Sequence, residues 1–169
     1  LETLGSIKEA ETSYRKSLIL DRKMVKSAVK LGIILIKRGQ SELGIKALEK
    51  ALRIEPENID AIIALATAKS ESGKIVDALE LTLLATTIAP LSETVWNDLG
   101  SIHIGLEQWE NAHNALKKAL LLAPQNSGPF SNIGFVYISY GDFELAKRYF
   151  NLSLMIRSDV GNAYCGLAE

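Results

Sequence analysis

Two histidines, one cysteine and two tryptophans are the side chains of this 169-residue sequence best suited to chemistry or to seating a ligand. His103 and His113 have the right groups for acid–base work or metal binding. Zinc, however, needs three or four converging donors, and no Cys/His/Asp/Glu cluster accompanies them in sequence. Cys165 has neither a helix start nor basic neighbours to lower its pKa, so an idle or structural thiol is expected rather than a nucleophile. Serines are scattered without a G-x-S-x-G elbow, and no glycine-rich phosphate loop is present. The sequon Asn151-Leu152-Ser153 falls in mid-helix and is the kind of single match expected by chance. No enzymatic activity, cofactor or metal is expected. The basic set Arg15, Lys16, Arg22, Lys23, Lys26 and Lys30 could hold an acidic segment, but Glu9, Glu11 and Asp21 interleave with it. A solvated helix face is its default reading.

Whole-chain properties narrow the partner. Nearly half of the residues are apolar, enough for a substantial core. A formal net charge of −1 argues against nucleic acid or an anionic membrane surface, both of which select strongly basic proteins. One cysteine excludes an internal disulfide framework and fits a reducing compartment, so a cytoplasmic location is expected. No apolar run approaches the roughly 20 residues needed to cross a bilayer, and no charged-then-apolar leader is seen. The chain begins without Met and in mid-pattern, which reads as a fragment of a longer protein.

The elements that position these residues follow a 34-residue period, with no insertion or deletion. One column reads Leu31, Leu65, Leu99, Ile133 and Leu167, and beside it stand Gly32, Ala66, Gly100, Gly134 and Ala168. A large apolar residue next to a small one lets two helices approach closely. Further small columns are Ala10, Gly44, Ala78, Ala112 and Ala146, and Ser17, Ala51, Ala85, Ala119 and Ser153. Gly5, Gly39, Gly73 and Gly141 mark where a first helix stops, a place suited to positive φ. Glu107 interrupts that column, so its turn is expected to be strained or differently shaped. Pro56, Pro90 and Pro124 follow the second helices. First helices are predicted over 25–38, 59–72, 93–106 and 127–140, and second helices over 7–20, 41–54, 75–88, 109–122 and 143–156. A last first-helix is predicted from 161. Trp96 shares its column with Ala28, Ile62, Phe130 and Tyr164, and Trp109 with Ile7, Ile75 and Phe143, so both read as buried packing residues rather than aromatic platforms.

Trp96, Leu99, Gly100 and His103, followed by Ala112, Leu116, Ala119 and Pro124, closely match the pattern W-x-x-L-G-x-x-Y … A-x-x-x-F … A … P. The chain thus resembles the tetratricopeptide repeat (TPR) family over its whole length. The resemblance implies an all-α fold, an α-α superhelix of antiparallel helix pairs forming one array over residues 1–169. Four full repeats (25–58, 59–92, 93–126 and 127–160) would be flanked by partial repeats at 1–24 and 161–169. It also implies a protein-binding function, with first helices lining a concave groove that holds a partner peptide or segment. At the columns set by the 3.6-residue period, the ligand-facing residues would be Lys26, Val29, Lys30, Ile33, Ile36 and Lys37, then Asp60, Ile63, Thr67 and Glu71. Asn97, Asp98, Ser101 and Ile104 follow, then Ser131, Asn132, Phe135 and Ile138. Apolar anchoring would fall to Ile33, Ile36, Phe135 and Ile138, unless neighbouring helices cover them, and backbone hydrogen bonding to Asn97, Ser131 and Asn132.

TPR domains that grip a chaperone's terminal carboxylate need cations converging on it. The three possible frames here offer Val29, Ile33, Ala64, Thr94 and Asp98; Ile63, Thr67, Asp98, Gly128 and Asn132; or Asn97, Ser101, Asn132, Asn162 and Gly166, with no cation where one is required. The asparagine ladder of arrays like that of O-GlcNAc transferase is met by Asn132 alone in the column Lys30, Ala64, Asp98, Asn132 and Gly166. Two other roles stand beside peptide binding. One is a regulatory or substrate-recruiting arm of a larger, glycosyltransferase-like enzyme; the other is homodimerisation through array ends that expose Tyr164 and Leu167.

Overall fold

The computed structural model describes residues 24–156 together with Thr12, Ser13 and Lys16. Apart from Thr12, Ser13 and Lys16, which are helical, the predicted helix over 7–20 lies outside the described residues, as do the one from 161 and Arg15, Arg22, Lys23, Tyr164, Cys165 and Leu167. Among the described residues every regular element is an α-helix. In chain order they are α1 (Val25–Lys37), α2 (Ser41–Ile54), α3 (Ile59–Glu71), α4 (Ile75–Ile88), α5 (Glu93–Gly105), α6 (Trp109–Leu122), α7 (Ser127–Ser139) and α8 (Phe143–Ile156). They group into two compact units, Leu1–Ile88 with α1–α4 and Ala89–Glu169 with α5–α8.

Local chemistry sets the helix ends. Asn58, Ser92 and Asn126 stand one residue before α3, α5 and α7, and each side-chain oxygen accepts from a backbone N–H of the first turn. Met24 holds the same position before α1 and offers no such acceptor. At the other end, each first helix stops one residue short of its predicted limit, because Arg38, Ser72, Leu106 and Tyr140 already act as C-caps. The next residue turns left-handed, with φ of 76° at Gly39, 80° at Gly73 and 75° at Gly141. The Gly39 N–H then donates to Ile36 O and the Gln40 N–H to Leu35 O, the paired bonds of a Schellman turn. Glu107 is forced into the same turn at φ 56°, with Glu107 N–H donating to Ile104 O and Gln108 N–H to His103 O. Its geometry is that of its neighbours, held under strain.

Within each helical pair the small columns decide the approach. A Cβ on Gly32 would lie 2.7 Å from Leu48 Cγ, one on Gly100 2.5 Å from Leu116 Cγ, and one on Gly134 2.7 Å from a Phe150 ring carbon. In the first unit Val25, Ala28, Val29, Leu48, Ala51, Ala61 and Leu65 form the core. In the second, Ala112, Leu116, Ile133 and Val136 form one cluster, and Ala146 and Phe150 another.

Candidate functional site

Helices α1 and α3 lie side by side in the first unit, and their inner turns enclose an open trough of about 370 Å3. Its walls are Lys30, Ile33, Ile36 and Lys37 from α1 and Asp60, Ile63, Ala64, Thr67 and Glu71 from α3. The spacing explains this: positions three, four and seven apart fall on one helix face, and the 34-residue period puts the same face forward on both helices. Ile33 and Ile36 are half-buried, each with one side against the core of the unit, while Ile63 is half-buried without belonging to that core. The Thr67 hydroxyl turns back to donate to Ile63 O at 3.0 Å. The four charged walls are exposed. Lys26 is exposed but lies outside the trough. Val29, expected to face a ligand, is only 3% exposed and packs in the core, because that side of α1 is covered by α2 and α3.

In the second unit the polar first-helix residues tie to one another. Asn132 Nδ2 donates to Asn97 Oδ1 and to Ser101 Oγ, both at 3.0 Å, joining α7 to α5. Ser131, expected to bond a ligand backbone, is 2% exposed. Ser153 donates to Ser127 O at 2.9 Å, so the 2.7 Å contact between the hydroxyls has Ser131 donating to Ser153. Ser131 is therefore withdrawn from any surface role. Ile104, Phe135 and Ile138 are half-buried against the two clusters, with the Phe135 ring edge-on to Phe150 at 5.2 Å. Asp98 is half-buried, and desolvation by burial, helped by Glu93, pushes its carboxyl up to about 6. Sequence spacing gave no sign of that shift, because it arises from packing around the carboxylate.

The remaining candidates are structural. Neither tryptophan is fully buried. Trp96 Nε1 donates to Pro90 O at 2.9 Å and Lys118 Nζ sits 3.8 Å above its ring, while Trp109 packs partly against the second unit's core. His103 is 8% exposed, with Nδ1 donating to Gln108 Oε1 at 2.7 Å. His113 meets the Tyr137 ring edge-on at 5.7 Å, and burial, then Lys117, lowers its pKa. Among the described residues no group of three or more His, Cys, Asp or Glu could hold a metal ion. No described helix is long and apolar enough to cross a membrane.

A sequence profile described as tetratricopeptide repeat matches residues 94–126, and a second of the same description matches 25–58 and 130–160. The chain belongs to the tetratricopeptide repeat family. Among TPR relatives, BBSome complex member BBS4 of Bos taurus is 23% identical across 97% of this chain. Type IV pilus assembly protein PilF of Pseudomonas aeruginosa is 30% identical across 83% of it. The chain spans 32% of the bovine protein's length and 57% of PilF's. Of solved TPR structures, MamA of Desulfovibrio magneticus RS-1 matches with a TM-score of 0.81 at 20% identity, covering 94% of this chain and 90% of that one. YrrB, described as a TPR protein with an unusual peptide-binding site, matches with a TM-score of 0.77 at 20% identity, covering all of this chain and 87% of the other. At such identities the likeness concerns the fold.

Proposed function

We propose that this TPR chain is a protein-interaction module that holds a polypeptide segment on its first-helix faces. The observation that carries this reading is the α1–α3 trough, an open cleft with an isoleucine floor built from residues of the face that the TPR resemblance implies for ligand contact. Its volume, about 370 Å3, falls in the range of about 300–1,000 Å3 typical of ligand clefts. In the second unit Asn97, Asp98, Ser101 and Asn132 supply polar contacts. With Asn132 Nδ2 and Asn97 Oδ1 engaged, the opposite ends of the two amides, one acceptor and one donor, would be the groups to meet a peptide backbone. Relatives named as a BBSome complex member and a pilus assembly protein support a protein as the partner class.

Ile63 is the residue for the test, since Phe135 and Ile36 also support the core. Selection from a displayed library of random dodecapeptides should enrich binders to the wild-type chain. Ile63→Asp should weaken those binders by about tenfold or more, and Ile63→Ala should act in the same direction less strongly, with helicity by circular dichroism unchanged. Absence of any enriched peptide, or binders indifferent to both variants, would remove this reading.

A further inference from the structure

The charges around the trough are sorted by helix. Lys30 and Lys37 stand on α1, Asp60 and Glu71 on α3, with Ile33, Ile36 and Ile63 between them. Lys37 and Glu71 occupy the same repeat position, one period apart and opposite in sign. Among the described residues, none of these four charges forms an ion pair; the nearby pairs are Lys69 with Glu49 at 4.0 Å and with Asp77 at 3.2 Å. Helix electrostatics accounts for only two of them. Lys37 in the last turn of α1 and Asp60 in the first turn of α3 each suit the helix dipole. Glu71 ends α3, where the dipole disfavours a carboxylate, and Lys30 sits in mid-helix. Helix electrostatics therefore leaves the placement of Lys30 and Glu71 unexplained.

We infer that the trough takes a polypeptide segment in a fixed orientation, with an apolar side chain over the isoleucines, its acidic side along the α1 wall that carries Lys30 and Lys37, and its basic side along the α3 wall that carries Asp60 and Glu71. The inference rests on the reading of the first-helix faces as binding surfaces. Opposite charge on the two walls sets which side of the segment faces which helix and disfavours the reverse seating, in which like charges would meet. Charge pairs this exposed contribute modestly to affinity, so the wall charges act mainly on orientation and selectivity while the apolar floor carries the contact.

The test uses peptides selected on the wild-type chain and two charge-reversed forms of it, Lys30→Glu with Lys37→Glu and Asp60→Lys with Glu71→Lys. The selected peptides should carry an apolar residue between an acidic and a basic one. Each reversal should weaken binding about three- to tenfold, and reversing the corresponding charge on the peptide should restore it. The four positions are exposed, so helicity by circular dichroism should match wild type, with only a small fall in melting temperature where Lys37→Glu and Asp60→Lys oppose the helix dipole. Suppose binding falls with Ile63→Asp but changes less than about twofold with either reversal, or is not restored by the peptide swap. The charge-sorted orientation is then overturned while the binding face stands. Binding indifferent to Ile63→Asp would overturn both.

Discussion

Asp98 is the residue where burial and charge conflict most openly. Its carboxyl is pushed up from 3.8 to about 6, first by desolvation and then by Glu93. A raised folded-state pKa means that the fold prefers the protonated acid. The associated stability is fully present below the unfolded value of 3.8 and is lost as pH rises through about 6. Near pH 7.5 the ionised side chain therefore costs stability, which a neutral amide of the same shape would recover. Asp98→Asn should raise stability at that pH by about 1–3 kcal/mol, with the gain vanishing near pH 3.5. Thermal melts of both proteins at the two pH values check this, and an equal gain at both would refute the titration account. A cation placed beside the carboxylate would relieve the same cost. The serines on the neighbouring column behave differently. Ser131 and Ser153 close their hydroxyl chain internally onto Ser127 O, so no polar group there needs a ligand.

Between residues and repeats, the helix-ending turn occurs four times among the described residues with one hydrogen-bond pattern. Three copies place glycine at the left-handed position and one places Glu107 there, at φ 56°. For a residue with a Cβ that conformation costs about 1–2 kcal/mol, part of which glycine returns as greater freedom in the unfolded chain. Glu107→Gly should therefore stabilise the protein by about 0.5–1 kcal/mol, measurable as a shift of the urea midpoint at unchanged slope. Destabilisation would show that the Glu107 side chain has a role that the turn geometry does not reveal. Helix α4 departs from its counterparts in another way. Val76, Leu83 and Leu84 are exposed on it, at positions where α2, α6 and α8 carry Glu42, Glu110 and Glu144; Glu49, Lys117 and Asn151; and Lys50, Lys118 and Leu152. The Thr86 and Thr87 hydroxyls donate to Leu83 O and Leu84 O at 2.7 Å, which leaves that stretch of helix with few polar groups outward.

At the scale of the whole molecule, stability in a repeat protein is a sum of intrinsic repeat terms and nearest-neighbour terms. Damage in one unit should therefore be felt there first. Both tryptophans, Trp96 and Trp109, lie in the second unit, so fluorescence reports on that unit while circular dichroism reports on all helices. In Gly32→Ala the new Cβ would stand 2.7 Å from Leu48 Cγ and 3.1 Å from Gly44 O, a backbone atom that cannot swing away. The substitution should cost about 1–3 kcal/mol and should lower the circular dichroism midpoint in urea more than the fluorescence midpoint. Equal shifts of both midpoints would mean that the chain unfolds as one cooperative block.

The 34-residue period, the helix boundaries, the small columns and the glycine turns are all written in the sequence. Each depends on contacts within one helix, one turn or one helical pair, and repetition supplies several readings of the same constraint. Among the described residues, the second helices from Ser41 onward occupy the predicted residues, and the first helices from Val25 to Ser139 fall short by a single capping residue. What lies on a first-helix face was legible as a list of positions, but not which of them remain open. That depends on how deeply each helix sinks between its neighbours. Val29 and Ser131 sink into the interior, and Ile33, Ile36 and Phe135 keep one side on the core. The trough itself, the self-bonded amides of Asn97 and Asn132, and the proton affinity of Asp98 likewise exist only once the helices are packed. The first two are set by distances between side chains on different helices and the third chiefly by burial, and no spacing along one strand of sequence contains them.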